Sequence, residues 1–512
     1  MDFTPVSRPF FAQVRRNERR ERLDVERSQR ATLRRLLRAV SKTDNGREHQ
    51  LSPADSYAVF ASKLPCVEYE DIRPAVNRML RGERDVLWPG VCRRYAQSSG
   101  TSGGKSKYIP LTRASLNGCH YAGAAWSVAS YLGYYPDSRI FGGKNFILGG
   151  SFANEIADLP AGVKVGDLSA SLIDRINPVV NLFRVPDKKT ALMADWEVKL
   201  PALARAAARV DVRSLSGVPS WFAGVLKEVL RITGASDIHE VWPGLEVFFH
   251  GGIAFPPYKS QYDELTDPSK MRYWENYNAS EGFFAVQDRP GSPELGLLLD
   301  ADVFYEFIPL SDPSRILPAW EVTPGEVYEM VISSSNGLMR YRLGDTVMIE
   351  RAGKTGGDPD AAPLTVTIAG RTKSFINAFG EELMVYNAEA AMTRAALQTG
   401  AEVADYTAAP VYAEGNRRGR HQWVIEFTRP PQGGGDTFAE ILDRELQREN
   451  SDYQAKRAGG LFLDPPEIIV ASPGLFNRWL GETGKLGGQR KMPRLSNDRK
   501  IIDNLLKLNE NH

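Results

Sequence analysis

The chain has 512 residues, 42% hydrophobic and 25% charged, which predicts about two to four domains and excludes a disordered, collagen-like or disulfide-stapled chain. Lys and Arg total 64 against 63 Asp and Glu, a net charge of +1, so neither nucleic acid nor an anionic membrane is expected as a partner. The three cysteines form no C-x-x-C, no apolar run reaches the ~18 residues of a membrane span, and the first residues lack a signal-peptide core, so a cytoplasmic protein is expected.

The first 40 residues carry eleven arginines interleaved with Glu18, Glu21, Asp24 and Glu26. Leu33, Leu36 and Leu37 recur at helical spacing, which predicts an Arg-rich amphipathic helix from about Arg19 to Ala39. The stretch VCRRYAQ (91–97) reads as a poor buried strand. Residues 114–132 read as a helix carrying several aromatics. KNFILGG (144–150), LEVFFHGG (245–252) and GEVYEMVIS (325–333) read as strands, and PALARAAARV (201–210) and WFAGVLKEVLRI (221–232) as helices. This mixture predicts an α/β body of β-sheets flanked by helices. RAGKTGGDPDAAP (351–363) is the best linker candidate, which sets a boundary near 365 between an N-terminal domain (1–365) and a C-terminal one (366–512). Beyond it, HQWVIEF (421–427) and EIIVASP (467–473) read as strands, DTFAEILDREL (436–446) as a helix and PPQGGGD (430–436) as a loop.

Five segments carry chemistry. In Ser98-Ser99-Gly100-Thr101-Ser102-Gly103-Gly104-Lys105-Ser106-Lys107, glycines let backbone N–H groups approach an anion, hydroxyls donate to phosphate oxygens and a lysine neutralises charge. The loop misses the nucleoside-triphosphatase P-loop, G-x-x-x-x-G-K-[ST], by one position: residue 99 is Ser and the glycine is Gly100. Tyr273 to Gly282 is an aromatic strand running into a polar turn, in which Glu281 suits Mg2+ together with phosphate oxygens and the aromatic and amide groups suit a purine. Met339 to Asp345 reads as an alternating strand ending in Gly-Asp, with Asp345 able to accept from ribose hydroxyls. Ile368-Ala369-Gly370-Arg371-Thr372-Lys373 follows the linker. Lys485 to Leu495 pairs Gly487 and Gly488 with several cations.

In this order the five segments resemble the adenylate-forming superfamily of acyl-CoA synthetases, peptide-synthetase adenylation domains and luciferases. Val67-Glu68-Tyr69-Glu70-Asp71, Asp85-Val86-Leu87-Trp88-Pro89-Gly90 and Asn450 to Arg457 bring the resemblance closer, to the Gretchen Hagen family of acyl acid amido synthetases and its bacterial relatives. The resemblance runs from about 55 to 505. It implies a large N-terminal body, a hinge and a small mobile α+β C-terminal domain. It implies ATP and Mg2+ as cofactors, with a small carboxylic acid and an amine, an amino acid, as substrates. A monomer is expected. By the same resemblance Ser98, Ser99, Thr101 and Ser102 would hold the ATP phosphates, with Lys105 or Lys107 near the pyrophosphate. Gly251 and Gly252 would pass along the adenine and the acyl group. Tyr277, Asn278 and Ser280 would face the nucleotide, and Glu281 would hold Mg2+. Asp345 would bind the ribose, assisted by Arg371. Lys491 would be the catalytic C-terminal lysine, with Lys485 its rival. His120, Tyr121, Trp126, Tyr131 and Phe249 are candidates for the acid pocket and His250 for a proton carrier. The implied reaction is acyl-AMP formation, then amide formation. Transfer to a thiol of CoA or a carrier protein, and a non-catalytic nucleotide-binding protein, are the alternatives.

Overall fold

The strand Val247–Gly251 shows why the molecule has a centre. Its apolar run feeds both sides of a sheet: Val247 and Phe249 pack with Trp274, Tyr131 and Tyr305, and Phe248 packs with Phe146, Trp242 and Tyr262. A strand covered on both faces loses the apolar/polar alternation and reads as continuous hydrophobics. The computed structural model describes residues 2–510 except 23, 99–106, 155, 157, 254, 354–362, 372–374, 414–417, 461 and 483–491.

The large sheet has twelve strands among the described residues. From one edge, Arg184–Val185, Lys144–Ile147, Val212–Gly217, Val247–Gly251 and Arg272–Ala279 run parallel. The direction then changes. Gly282–Gln287, Leu295–Leu297, Thr365–Arg371, Tyr341–Arg351, Val327–Ser334, Val303–Pro309 and Leu317–Pro318 continue antiparallel. Helices such as Trp196–Ala207 and Pro219–Thr233 cover the parallel part. A second sheet joins Lys107–Pro110, Arg94–Ser98 and Lys164–Gly166. The third has Glu402–Val411, Arg420–Arg429 and Glu467–Val470, with helices Val385–Thr399 and Gly434–Glu449. Ile376, Leu383 and Trp423 of this C-terminal part pack into the same apolar layer as Phe248.

Three local readings need correction. The N-terminal arm is two helices, Thr4–Arg22 and Val25–Val40, because the Asp24 side chain accepts from the Arg27 N–H and caps the second. Both are strapped to the body. Arg8 donates to the carbonyls of Leu132, Tyr135, Pro136 and Ser138, and Gln29 donates to those of Leu299 and Val303. The arginine-bearing stretch after 91 does form a strand, Arg94–Ser98, with Tyr95 and Ala96 buried and the Arg94 guanidinium paired to Asp174 at 2.6 Å. Residues 352–364 lie between Tyr341–Arg351 and Thr365–Arg371, two strands that pair antiparallel in the large sheet. Asp345 does not end its strand; it lies inside Tyr341–Arg351, where Gly344 takes φ +83° and the ladder shifts register after Thr346.

Candidate active site

Nucleotides bind most often beyond the carboxyl ends of parallel strands, and at places where strand order or direction changes. Here that place is the end of Val247–Gly251 and of Arg272–Ala279. A cleft of about 650 Å³ opens there. Gly252, Glu275, Tyr277, Asn278, Ser280 and Glu281 line it from this side, Asp345 from Tyr341–Arg351, and Lys107 from the start of Lys107–Pro110. Asn377, Glu382 and Tyr412 close it from the C-terminal part.

The side chains are held by their neighbours. Tyr277 donates its hydroxyl to Asp345 Oδ2 at 2.7 Å, which ties the two predicted nucleotide segments together. Asp345 is 6% exposed and Glu281 7%. The Glu281 carbonyl accepts from Asn336 Nδ2 at 2.9 Å, fixing the turn between the two strands of its hairpin. Gly251 has no room for a side chain: a Cβ there would stand 2.3 Å from the Asn276 carbonyl oxygen. Gly252 takes φ +84°, a conformation that favours glycine, and its carbonyl accepts from Asn377 Nδ2 at 3.4 Å. Lys107 Nζ donates to the Tyr341 hydroxyl at 3.3 Å and lies 5.9 Å from the centre of the Tyr69 ring.

The described lining is rich in carboxylates: Glu68, Glu70, Glu275, Glu281, Glu329, Asp345 and Glu382 face Lys107 and Arg342. Arg342 is committed to Glu329 at 2.5 Å. Burial pushes the Glu275 carboxyl up to about 7. Such a lining calls for cationic counter-charge. No group of three or more potential metal ligands exists among the described residues. A single carboxylate such as Glu281, completed by phosphate oxygens and water, is nevertheless the usual protein share of a Mg2+ site.

The residues marked in the sequence fall into three groups. Gly252, Tyr277, Asn278, Ser280, Glu281, Asp345 and Lys107 share the cleft, with Gly251 packed directly behind Gly252. Ser98 ends one strand of the second sheet, paired with Lys107, and Arg371 ends a strand of the large sheet, paired with Asp345. Ser99, Thr101, Ser102, Lys105, Lys485 and Lys491 lie outside the described residues. The acid-pocket candidates His120, Trp126, Tyr131 and Phe249 are core residues. His250 is 3% exposed, stacks on Phe255 at 4.3 Å and is pushed down to about 3 by burial. Burial there favours the neutral imidazole, packed among aromatic rings. Sequence reading missed Glu275, Asn377, Glu382 and Tyr412. For Glu275 the signal was a carboxylate inside an aromatic strand, and Glu382 lies in the Phe379–Leu383 continuation of the Gly370-Arg371 segment, though neither was given a role; Asn377 and Tyr412 come from segments that carry no local motif.

Three family profiles match in chain order: the GH3 family N-terminal domain over residues 19–207, the central domain over 296–355 and the C-terminal domain over 386–500. This chain belongs to the GH3 family. It is similar to the probable indole-3-acetic acid-amido synthetase GH3.1 of Arabidopsis thaliana, at 22% identity over 91% of this chain and 88% of that protein. It is similar to indole-3-acetic acid-amido synthetase GH3.5 of the same plant, at 21% identity over 94% and 90%. Among solved structures it shares its fold with the AtGH3.15 acyl acid amido synthetase in complex with 2,4-DB, at TM-score 0.61 and 19% identity, over 99% of this chain and 97% of that one. A 2-hydroxyisobutyryl-CoA ligase bound to 2-HIB-AMP and CoA has the same fold, at TM-score 0.59 and 15% identity, over 96% and 94%. For a GH3 chain, the order of the family domains is the order of the cleft walls. The N-terminal match contains Lys107, the central match Asp345 and the C-terminal match Tyr412.

Proposed function

We propose that this chain is an AMP-forming acyl acid amido synthetase, acting on a small carboxylic acid and an amine, an amino acid. One observation carries the reading. Glu281, the Tyr277–Asp345 pair and Lys107 come from separate parts of the sequence and line a single cleft. The relatives named above are amido synthetases, and that supports the C–N ligase class.

A carboxylate resists nucleophiles because its charge repels them and its oxygen is a poor leaving group. One carboxylate oxygen attacks the α-phosphorus of ATP, and pyrophosphate leaves. The amine nitrogen then attacks the acyl carbon, AMP leaves with the former carboxylate oxygen, and the nitrogen loses a proton. No protein nucleophile is needed, so the chain has to supply position and charge stabilisation. Asp345 accepts from the ribose hydroxyls while Tyr277 fixes its orientation, and Arg371 assists from the paired strand. Gly251 and Gly252 pass beside the adenine and the acyl group, with Asn278 and Ser280 facing the nucleotide. Ser98, Ser99, Thr101 and Ser102 donate to the phosphates, with Lys105 or Lys107 beside the leaving pyrophosphate. Mg2+ held by Glu281 would neutralise phosphate charge. Lys491 is proposed as the catalytic C-terminal lysine, ahead of Lys485. The strand Thr365–Arg371 belongs to the large sheet, which supports placing the start of a mobile C-terminal unit just after it, slightly later than 365. The protein is proposed to work in the cytoplasm as a monomer.

The fold shared with a CoA ligase keeps thioester formation as a second reading. Incubation with ATP, mixed carboxylic acids and either mixed amino acids or CoA, followed by mass spectrometry, separates the two. Amides without acyl-CoA are expected. Acyl-CoA without amides would replace the first reading by the second, and neither product would refute both.

A further inference from the structure

Arginines converge at a second place that the reaction does not use. A cavity of about 380 Å³ is lined by Arg93, Arg94, Arg113 and Arg175, with no carboxylate among its described lining residues. Asp174 stands nearby but is already shared by Arg94 at 2.6 Å and Lys164 at 3.0 Å. Arg94 Nε is buried without a hydrogen-bond partner. Arg93, Arg113 and Arg175 are exposed, and their side chains make no hydrogen bond or ion pair to any described residue. Thr112 and Arg113 also begin the long helical run that continues through Leu116–Tyr121 to Ala122–Tyr134, so the positive end of that run faces the same space. Guanidinium groups gathered in a concavity repel one another unless an anion lies between them. Their planar fork matches carboxylate and phosphate oxygens.

We propose that this cavity is an anion site, distinct from the nucleotide cleft, that takes a small polyanion bearing two or more carboxylate or phosphate groups. The two cavities have no lining residue in common. They are joined by rigid elements. Helix Leu168–Arg175 presents Leu168 to the cleft and Arg175 to the arginine cavity. Strand Arg94–Ser98 starts at the cavity and ends opposite Lys107.

The test is calorimetric titration of the full chain at low ionic strength, saturated with a non-hydrolysable ATP analogue so that the cleft is filled. Citrate is the carboxylate probe and inorganic pyrophosphate the phosphate probe. Saturable binding of at least one of them is expected, and the tighter one identifies the ligand class. The double variant Arg113→Gln, Arg175→Gln should weaken that binding at least about tenfold, the scale of one lost charge-assisted contact. It should leave analogue affinity and melting temperature unchanged, since both side chains are exposed. The proposal is overturned if neither anion saturates, if the double variant binds as well as the parent, or if binding appears only when the analogue is left out.

Discussion

Tyr277 and Asp345 are 68 positions apart in sequence and 2.7 Å apart at their oxygens. If Asp345 accepts from the ribose, Asp345→Ala should lower kcat/KM for ATP-dependent turnover about a hundredfold, the cost of two hydrogen bonds to a charged group. Tyr277→Phe should cost about tenfold through orientation alone. Both variants should retain the far-ultraviolet spectrum of the parent. An Asp345→Ala variant with parental kinetics would remove it from the nucleotide site. Glu275 makes a different prediction. Its carboxyl stands at about 7 against an ordinary 4.5 because burial disfavours the charge. The folded chain therefore binds this proton more tightly than the unfolded chain does. The stability it contributes is full below about 4.5 and is lost as pH rises to about 7. Glu275→Gln should thus gain unfolding free energy relative to the parent as pH rises from about 5 to 8, by up to roughly 3 kcal/mol, read by denaturant unfolding at each pH. A difference that stays flat over this range would place Glu275 in water.

Between elements, the informative contact is made by Arg340. It has φ +48°, is 4% exposed, forms a two-pronged pair with the fully buried Glu306, and donates to the carbonyls of Ala61 and Leu64. It thus bolts helix Tyr57–Lys63 and its C-terminal end to the strands that carry Asp345. Arg340→Ala leaves a buried carboxylate without its partner and should cost about 3–5 kcal/mol in unfolding free energy. Replacing both partners by apolar residues of similar volume should cost much less. Equal losses in the single and double variants would contradict this. The same segment shows what a sequence discloses. Met339 to Asp345 announced a strand and a candidate aspartate, which lies in the cleft, because alternation and Gly-Asp are local signals. It did not announce that the strand continues to Arg351, since the bulge that keeps Asp345 in register depends on its partner strand. His250 looked chemical beside two glycines. Phe248 stands beside it in the same strand, but the packing of Phe255 and Tyr273 on its ring depends on how the chain folds back.

Across the molecule, the C-terminal part is not appended loosely. Lys456 Nζ lies 3.2 Å from the centre of the Trp221 ring, and Phe462 packs on Trp221 and Trp196 at 4.9 and 5.4 Å. Trp221 belongs to a helix of the N-terminal body and Lys456 to the helix Ser451–Arg457. A mobile C-terminal unit would have to leave this aromatic seat in each cycle. Fluorescence of the parent against Trp221→Phe should then report ATP and acid addition; an unchanged signal would argue for a fixed unit. The mixed α/β layout was legible because it rests on short-range patterns. The cleft walls supplied by Asn377, Glu382 and Tyr412 were not, because they exist only where the two parts meet. The account rests on one cleft that activates a carboxylate with ATP. Its most direct measurement is isotope exchange between pyrophosphate and ATP, with purified enzyme and a broad panel of carboxylic acids. Exchange that requires an acid, proceeds without any amine and is lost in Asp345→Ala is predicted. Absence of acid-dependent exchange across the panel would contradict it.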